Sequence, residues 1–319
     1  MCTWQGEQFV AEQLRSIGSQ TRLPEQVVVV DDDSRDATWQ VLEREATILR
    51  GAGVEVVLRR QPANVGYVRN FETALGLVTG DIVFLCDQDD HWHPDKVERF
   101  LARFDARPDL LMLHSDARLV DAAGAPLAHT LFEAFEIGPR EIAMEQGGRA
   151  FEVLMGRNTV TGAAAALRRN LIDLALPIAP GWIHDEWLAV VAAAHDGLDC
   201  LDLVTTDYRQ HGANQVGARR RGIVERITGG TVTRGEFLRR MLTRLAALQQ
   251  RVDAGSIALD AGKAEMLEQR IRHAEVRAGL PARMLPRIGR VVREVATGRY
   301  HRFSSGLRSI ASDLTGLRR

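Results

Sequence analysis

An apolar run, Ile82 to Cys86, stops at Asp87-Gln88-Asp89-Asp90, three carboxylates within four positions. Two such charges about 4 Å apart repel by roughly 4 kcal/mol at a near-surface dielectric, so the segment needs compensation. Side chains alternate along an extended chain, which lets Asp87 and Asp89 point toward one ligand. A hard divalent cation, Mg2+ or Mn2+, takes one or two carboxylates and completes its shell with diphosphate oxygens. The plainer role is a solvated turn with helix-capping aspartates, and Asp90 taken singly fits it. A second acid group, Asp31-Asp32-Asp33, follows four consecutive valines, Val27 to Val30. An acid there caps the next helix or receives a sugar or base hydrogen bond, with Ser34 and Asp36 as alternative caps.

Two further groups carry chemistry. His184-Asp185-Glu186 precedes an apolar helix. Asp185 is there either as an N-cap or as a general base within reach of a substrate hydroxyl. Tyr208-Arg209-Gln210-His211-Gly212 closes the last strand before an arginine-rich region. Arg209 suits phosphate in a forked geometry, and His211 suits metal or phosphate, although a lone histidine is more often structural.

The elements that must position these residues follow from periodicity. Helices are predicted over 7–18, 36–50 and from the Asn64–Gly66 loop to about Val78. Another starts at Pro94, which suits a first helical turn. Strands are predicted at Val27–Val30, from Val54, and over Asp81–Cys86. Such alternation argues for a mostly parallel sheet with covered faces, where ligands bind beyond the carboxyl ends of the strands. Both acid groups then fall on one sheet edge. After residue 110 the chain reads as two strands turning at Ala123–Gly124, then TVTGAAAAL as a buried strand or packed loop. A helix over 186–195 and a strand through LDCLDLVTTDYRQH follow. Beyond Arg219, helices are predicted at about 233–254, 258–279, 282–297 and 300–317. There is no repeat, no low-complexity tract and no glycine-rich phosphate loop.

The totals narrow the class. With 319 residues, 45% hydrophobic and 26% charged, the chain is globular and large enough for two domains. It shows no membrane-length apolar run and no signal peptide, which makes the cytoplasm the default compartment. Cys2, Cys86 and Cys200 suggest neither a disulfide framework nor a zinc site. The net charge of -1 hides an asymmetry: 22 Lys and Arg against 9 Asp and Glu lie from Arg219 onward, leaving 19 basic and 33 acidic residues to 1–218. That break is the expected boundary, with a catalytic domain over 1–218 and a basic α-helical region over 219–319.

Seven blocks in order resemble family 2 glycosyltransferases of GT-A fold, especially the bacterial rhamnosyltransferase-like branch. They are CTWQGEQFVAEQLRSIGSQT, VVVVDDDSRDAT, NVGYVRNFETAL, DIVFLCDQDDHWHPDKV, the TG of TVTGAAAAL, IHDEWLAVVAA and YRQHGANQVG, running from Cys2 to Gly217. The resemblance implies a Rossmann-like mixed sheet flanked by helices, and an inverting, metal-dependent transfer of a sugar, rhamnose or a related hexose. The donor would be a nucleotide-diphosphate sugar, and the acceptor a hydroxyl of a cell-surface polysaccharide or lipid-linked glycan. Asp87 and Asp89 match the family's DxD signature, with Asp89 the direct metal ligand. Asp32 matches the acid that holds the base, with Asn64 and Gly66 in the loop beside it. Thr161 and Gly162 resemble the acceptor-side segment, Asp185 the catalytic base, and His211 a metal or diphosphate contact with Arg209 near it.

The chain departs from the family pattern in three places. It starts at Met1, within two residues of Thr3, where the pattern has a complete apolar strand; either the start lies upstream or the sheet loses that strand. Trp4-Gln5 replace Tyr-Asn. Asp33 replaces a glycine, and Asp tolerates a positive φ moderately.

The basic region suits an anionic lipid surface through a stripe of Leu238, Met241, Leu242 and Leu245 among arginines. It suits equally well packing on the acidic domain or on a second copy. Nucleic acid is a poorer fit for so few aromatics. Arg219, Arg220 and Arg221 are candidates to close over the diphosphate. Two rival functions remain: a non-catalytic nucleotide-sugar-binding protein, and a metal-dependent phosphatase, which would give HDEW and YRQH no role.

Overall fold

A computed structural model of the chain describes residues 1–212 and 233–315. The candidate role of Arg219–Arg221 lies outside the described residues. The described chain divides into two compact units.

The first unit comprises Met1–Gly148, Thr159–Ile178 and the chain from Ile183. Its N-terminal part is a parallel three-stranded sheet in the order β1 (Cys2–Thr3), β2 (Gln26–Asp31), β3 (Glu55–Arg60). The β-branched run of β2 favours an extended chain, and both its faces are covered, so Val27–Val30 are all buried. On β1, Cys2 pairs with Val30 and Thr3 with Asp31. Helix α1 (Val10–Gly18) places Val10, Leu14 and Ile17 on one face. They join Val27, Val29 and, from α2 (Thr38–Gly51), Leu42, Ala46 and Leu49 in one core. Full burial of each such side chain contributes roughly 1.5–3 kcal/mol. Helix α3 (Tyr67–Leu75) covers the other face, where Ala74 packs with Val28 and Val30.

The remaining strands form a six-stranded sheet. Its central path is β4 (Ile82–Phe84), β8 (Ala165–Arg168), β6 (Met112–Val120), β9 (Leu198–Arg209) and β5 (His91–Trp92), with β7 (Pro126–Thr130) on β6. Of these pairings β6 with β9 is parallel and the others are antiparallel. The expectation of a mostly parallel sheet is therefore corrected for this half. The two acid groups also leave different sheets, Asp31–Asp33 from β2 and Asp87–Asp90 from β4. They are brought together by side chains: Gln88 Oε1 accepts from Trp4 N at 2.8 Å, and Gln88 Nε2 donates to Trp4 O at 3.0 Å.

Helix α4 (Lys96–Ala106) begins two residues later than Pro94. Three short helices went unread in the sequence: α5 (Leu131–Ala134) and α6 (Pro139–Gln146) here, and α7 (Ala150–Gly156), which belongs to the second unit. The TVTGAAAAL segment resolves into a 3-10 turn, Gly162–Ala164, running into β8. Helices α8 (Asn170–Ala175) and α9 (His184–Ala194) complete the unit, and α9 is buried nearly throughout.

The second unit comprises Arg149–Asn158, Ala179–Trp182 and the C-terminal helices. These are α10 (Arg234–Asp253), α11 (Ala261–Ala278), α12 (Met284–Ala296), α13 (Arg299–Phe303) and α14 (Leu307–Thr315). The helix expected over 300–317 is two helices, broken where Ser304 is extended and Gly306 takes φ +52°. Leu238 and Leu245 are buried, and α10 packs against α11. Of the stripe that suited lipid or packing equally, Leu238 and Leu245 are thus packed inside, while Met241 and Leu242 are half-buried. Asp313, fully buried, accepts from Arg234 Nε, Arg277 Nε and Tyr300 Oη, each at 2.8 Å. No helix of the described residues is long and apolar enough to cross a membrane.

Candidate active site

The acid loop is built to hold its charges inside protein. Asp90 is buried; its Oδ1 accepts from Arg209 N at 3.1 Å, and its Oδ2 has no protein partner. Burial, followed by Asp89 and Asp87, pushes the Asp90 carboxyl well above the usual range. Asp87 is pushed up to about 7, by burial first and then by Asp89 and Asp185. Part of the compensation is a buried cation. Lys96 Nζ donates to Ala163 O and to Thr206 Oγ1, both at 2.8 Å, and lies 4.3 Å from the Trp92 ring. Burial pulls its ammonium down to about 7 despite the neighbouring Asp90 and Asp87.

The other compensation is Arg209. Its Nε donates to Asp89 O at 2.8 Å, one terminal nitrogen to Ala122 O at 3.1 Å, and the other pairs with Glu12 at 2.8 Å. Arg209, expected at the diphosphate, is buried and braces the acid loop, its fork engaged by protein acceptors. Phe9 lies 5.1 Å beneath that guanidinium and stacks on His211 at 4.8 Å between centroids. His211 Nε2 stands 2.7 Å from Asp89 Oδ2. The last residues of the YRQH block therefore meet the acid loop directly.

Asp185 reaches the same place from α9. Its Oδ2 accepts from Gly162 N at 2.8 Å and its Oδ1 from Glu186 N at 2.8 Å. Gly162, from the segment read as acceptor-side, is so joined to Asp185. Glycine is required here by close approach: a Cβ on Gly162 would stand 3.1 Å from His184 Nε2 and 3.4 Å from Asp185 Oδ2. His184 is buried, stacks on Phe71 at 3.7 Å, and its two ring nitrogens have no hydrogen-bond partner. Burial holds its pKa low, so the imidazole is neutral. The buried Tyr208 hydroxyl feels Asp87, Asp90, Asp89 and Asp185 together.

The β2 end forms the opposite side. Asp32 holds the Asn64–Gly66 loop: Oδ1 accepts from Val65 N at 2.7 Å, Oδ2 from Gly66 N at 2.9 Å, and Asn64 Nδ2 donates to Asp32 O at 3.3 Å. Asp31, fully buried, accepts from Thr3 Oγ1 at 2.8 Å and from Ser34 Oγ at 2.6 Å. Asp33 does take a positive φ, +59°, and faces Arg35 at 3.6 Å and Arg60 at 3.8 Å. Gln5, at φ +50°, accepts from Arg35 N at 2.8 Å and Asp36 N at 3.2 Å through its Oε1.

Carboxylates next to an imidazole are a hard oxygen and nitrogen donor set, and Asp87, Asp89 and His211 fit Mg2+ or Mn2+. A second set of potential ligands, His114, Glu145 and Cys200, is buried with its ligand atoms within 4.8 Å of one another. There Glu145 accepts from Thr159 Oγ1 at 2.6 Å and stands 2.7 Å from His114 Nε2. Burial pushes the Cys200 thiol up, whereas Glu145, which burial alone would raise, is held below its usual range by His114 and by the hydrogen bond from Thr159. Sequence reading missed Phe9, Phe71 and Lys96, and gave His184 no role of its own. Lys96 carried a signal, a lysine within the DKV block at the start of an amphipathic helix, whose burial depends on strands distant in the chain.

Residues 1–173, just over half of the chain, match the family described as Glycosyl transferase family 2. A curated uncharacterized protein of Mycobacterium tuberculosis is 29% identical over 121 residues, 37% of this chain and 34% of that protein. An uncharacterized glycosyltransferase of Nostoc sp. is 25% identical over 217 residues, 65% of this chain and 62% of that protein. The chain thus spans about a third of the mycobacterial relative and under two thirds of the cyanobacterial one. Among solved structures, S. aureus TarS with UDP-GlcNAc shares 17% identity at a TM-score of 0.60, covering 98% of this chain and 87% of that one. The mannosyltransferase PcManGT from Pyrobaculum calidifontis, with GDP-Man and Mn2+, shares 19% at 0.53, covering 99% and 77%. At these identities the likeness is one of fold, and that fold is GT-A.

Proposed function

The chain belongs to glycosyl transferase family 2, and from that premise we propose an inverting, metal-dependent transfer of rhamnose or a related hexose from a nucleotide-diphosphate donor. The acceptor in this reading is a hydroxyl of a cell-surface polysaccharide or lipid-linked glycan. The observation that carries it is the convergence of Asp87, Asp89 and His211 with Asp185 and Gly162 at one place. The nucleotide sugars held by TarS and PcManGT, and the Mn2+ of the latter, support the donor class. The rhamnosyl assignment rests on the sequence blocks.

In this reading Asp87, Asp89 and His211 hold Mg2+ or Mn2+. When bound, the ion neutralises charge on the departing nucleoside diphosphate. Asp32, Asn64 and Gly66 form the base end of the site. Arg209 and Lys96 keep the acid loop in place. Asp185 accepts the proton of the acceptor hydroxyl. The acceptor oxygen bonds to the anomeric carbon as the bond from that carbon to the diphosphate oxygen breaks. Attack comes from the face opposite the leaving group, so the configuration inverts and no covalent enzyme intermediate forms.

The test is thermal shift with dTDP-rhamnose, UDP-glucose, UDP-galactose, UDP-GlcNAc and GDP-mannose, each with Mn2+ or with EDTA, on wild type and Asp89→Ala. One donor should stabilise the protein only with Mn2+, and the variant should lose that response. Equal stabilisation with EDTA would remove the metal from the reading, and no response to any donor would remove the reading itself.

A further inference from the structure

We propose that the exposed face of α12 seats this protein on an anionic lipid surface. The helix spans Met284–Ala296, and Leu285, Ile288, Val292 and Val295 recur at spacings of three and four, on one face. They are exposed: Leu285 by 84%, Val292 by 59%, Ile288 by 39% and Val295 by 37%, with Met284 at 54%. The opposite side is the packed one, where Val291 and Glu294 are buried. An ordinary surface helix hides its apolar stripe; this one hides one valine and a paired acid and turns the stripe outward.

The charge around the stripe chooses the partner. Arg293 flanks the stripe, and Arg283 and Arg290 are exposed farther round the helix, Arg290 donating to Gly279 O at 2.7 Å. Its single acid, Glu294, is held inside by His273 Nδ1 and by Arg299, each at 2.7 Å. No exposed carboxylate therefore interrupts the cationic flank. Asp313 is likewise buried, among Arg234 and Arg277. A helix with an apolar face bordered by arginines lies in the plane of a membrane interface, its side chains among the acyl chains and its cations at anionic headgroups. Thirteen residues make a helix roughly 20 Å long, too short to span a bilayer and long enough to lie along one.

A second copy of the chain is the competing occupant, and two features disfavour it. A stripe roughly 20 Å by 10 Å offers about 200 Å², well under the roughly 800 Å² per partner of a stable interface. An isologous contact would also set arginine against arginine. The proposal goes beyond the transfer reaction and does not depend on it, since α12 belongs to the helical unit and holds none of the site residues.

The experiment is cosedimentation of the full chain with vesicles of phosphatidylcholine containing phosphatidylglycerol, and with phosphatidylcholine alone. Wild type should bind the first at least about tenfold more tightly, and high salt should weaken that binding. Two exposed substitutions, L285S with V292S, should weaken it by about tenfold or more. R283E with R293E should do so by at least about 25-fold, each surface cation being worth roughly fivefold. Circular dichroism and the Mn2+-dependent donor shift should be unchanged in both variants, so failure here is distinguishable from failure of the transferase reading. Equal binding to both vesicles, no binding, or binding untouched by either folded variant would overturn the proposal. So would a wild-type dimer that L285S with V292S converts to monomer, which would assign the face to a second copy.

Discussion

Asp185 has each carboxylate oxygen tied to a backbone amide, Gly162 N and Glu186 N, which fixes its direction while leaving lone pairs for a substrate proton. Asp185→Asn keeps the shape and one of the two amide contacts, through its single oxygen, but cannot take a proton. It should lower kcat by about a hundredfold to ten-thousandfold with the Mn2+-dependent donor shift retained, because general-base catalysis is typically worth that much. Loss of donor binding instead would make Asp185 a binding residue. Arg209 poses the opposite question, brace or phosphate ligand. Arg209→Met leaves Asp89 O, Ala122 O and Glu12 without their donor, and should cost roughly 2–4 kcal/mol of stability with no ligand present. Urea unfolding checks this; an unchanged midpoint with weakened donor binding would restore the phosphate role. The candidate residues were legible as blocks in the sequence, and the structure brings His211 to Asp89 and Gly162 to Asp185. The job of Arg209 was not, because its acceptors lie about ninety to two hundred positions away along the chain and no local spacing reports such a partner.

Elements were legible in proportion to how local their causes are. Val27–Val30 is extended through its own branched side chains, and α1 and α2 through their apolar spacing. Helices α5, α6 and α7 have four to eight residues, too few to show a period against an eleven-residue window. The division into two sheets was equally hidden, because β4 pairs with β8 some eighty positions later. At this scale Asp207 on β9 is a clasp. It accepts from Arg118 Nε of β6 at 2.8 Å and Nη2 at 2.7 Å, and faces His93 Nε2, just past β5, at 2.8 Å. Burial would raise the Asp207 carboxyl, but these hydrogen bonds outweigh it and hold it at about 2. A carboxylate depressed from 3.8 to about 2 contributes stability that is present above about pH 4 and lost as pH falls toward 2, on the order of 2 kcal/mol. Asp207→Asn should therefore unfold at lower urea than wild type at pH 7, with the gap closing between pH 4 and 2. A gap constant across that range would mean that packing, not ionisation, holds the clasp.

For the whole molecule, the charge break near Arg219 and the contact pattern are separate facts with separate origins. The basic composition begins at Arg219, whereas the helical unit also takes in Arg149–Asn158 and Ala179–Trp182 from within the preceding chain. Each unit has buried side chains of its own: Leu238, Leu248, Leu267, Tyr300 and Phe303 in the helical one, and Leu14, Leu42, Phe100 and Leu113 in the catalytic one. Domains with separate cores need not melt as one. Calorimetry of the full chain should therefore resolve two transitions. Mn2+ with the cognate donor binds only folded catalytic unit, so it should raise one transition and leave the other in place. At about a hundred times Kd the ligand adds about 2.7 kcal/mol, which moves the midpoint of a unit of roughly 200 residues by about 2–4 degrees. One transition that moves as a whole would mean that the two cores unfold together. The segments 149–158 and 179–182 would then couple them, and a substitution in the helical unit would be expected to change donor-dependent stability as well.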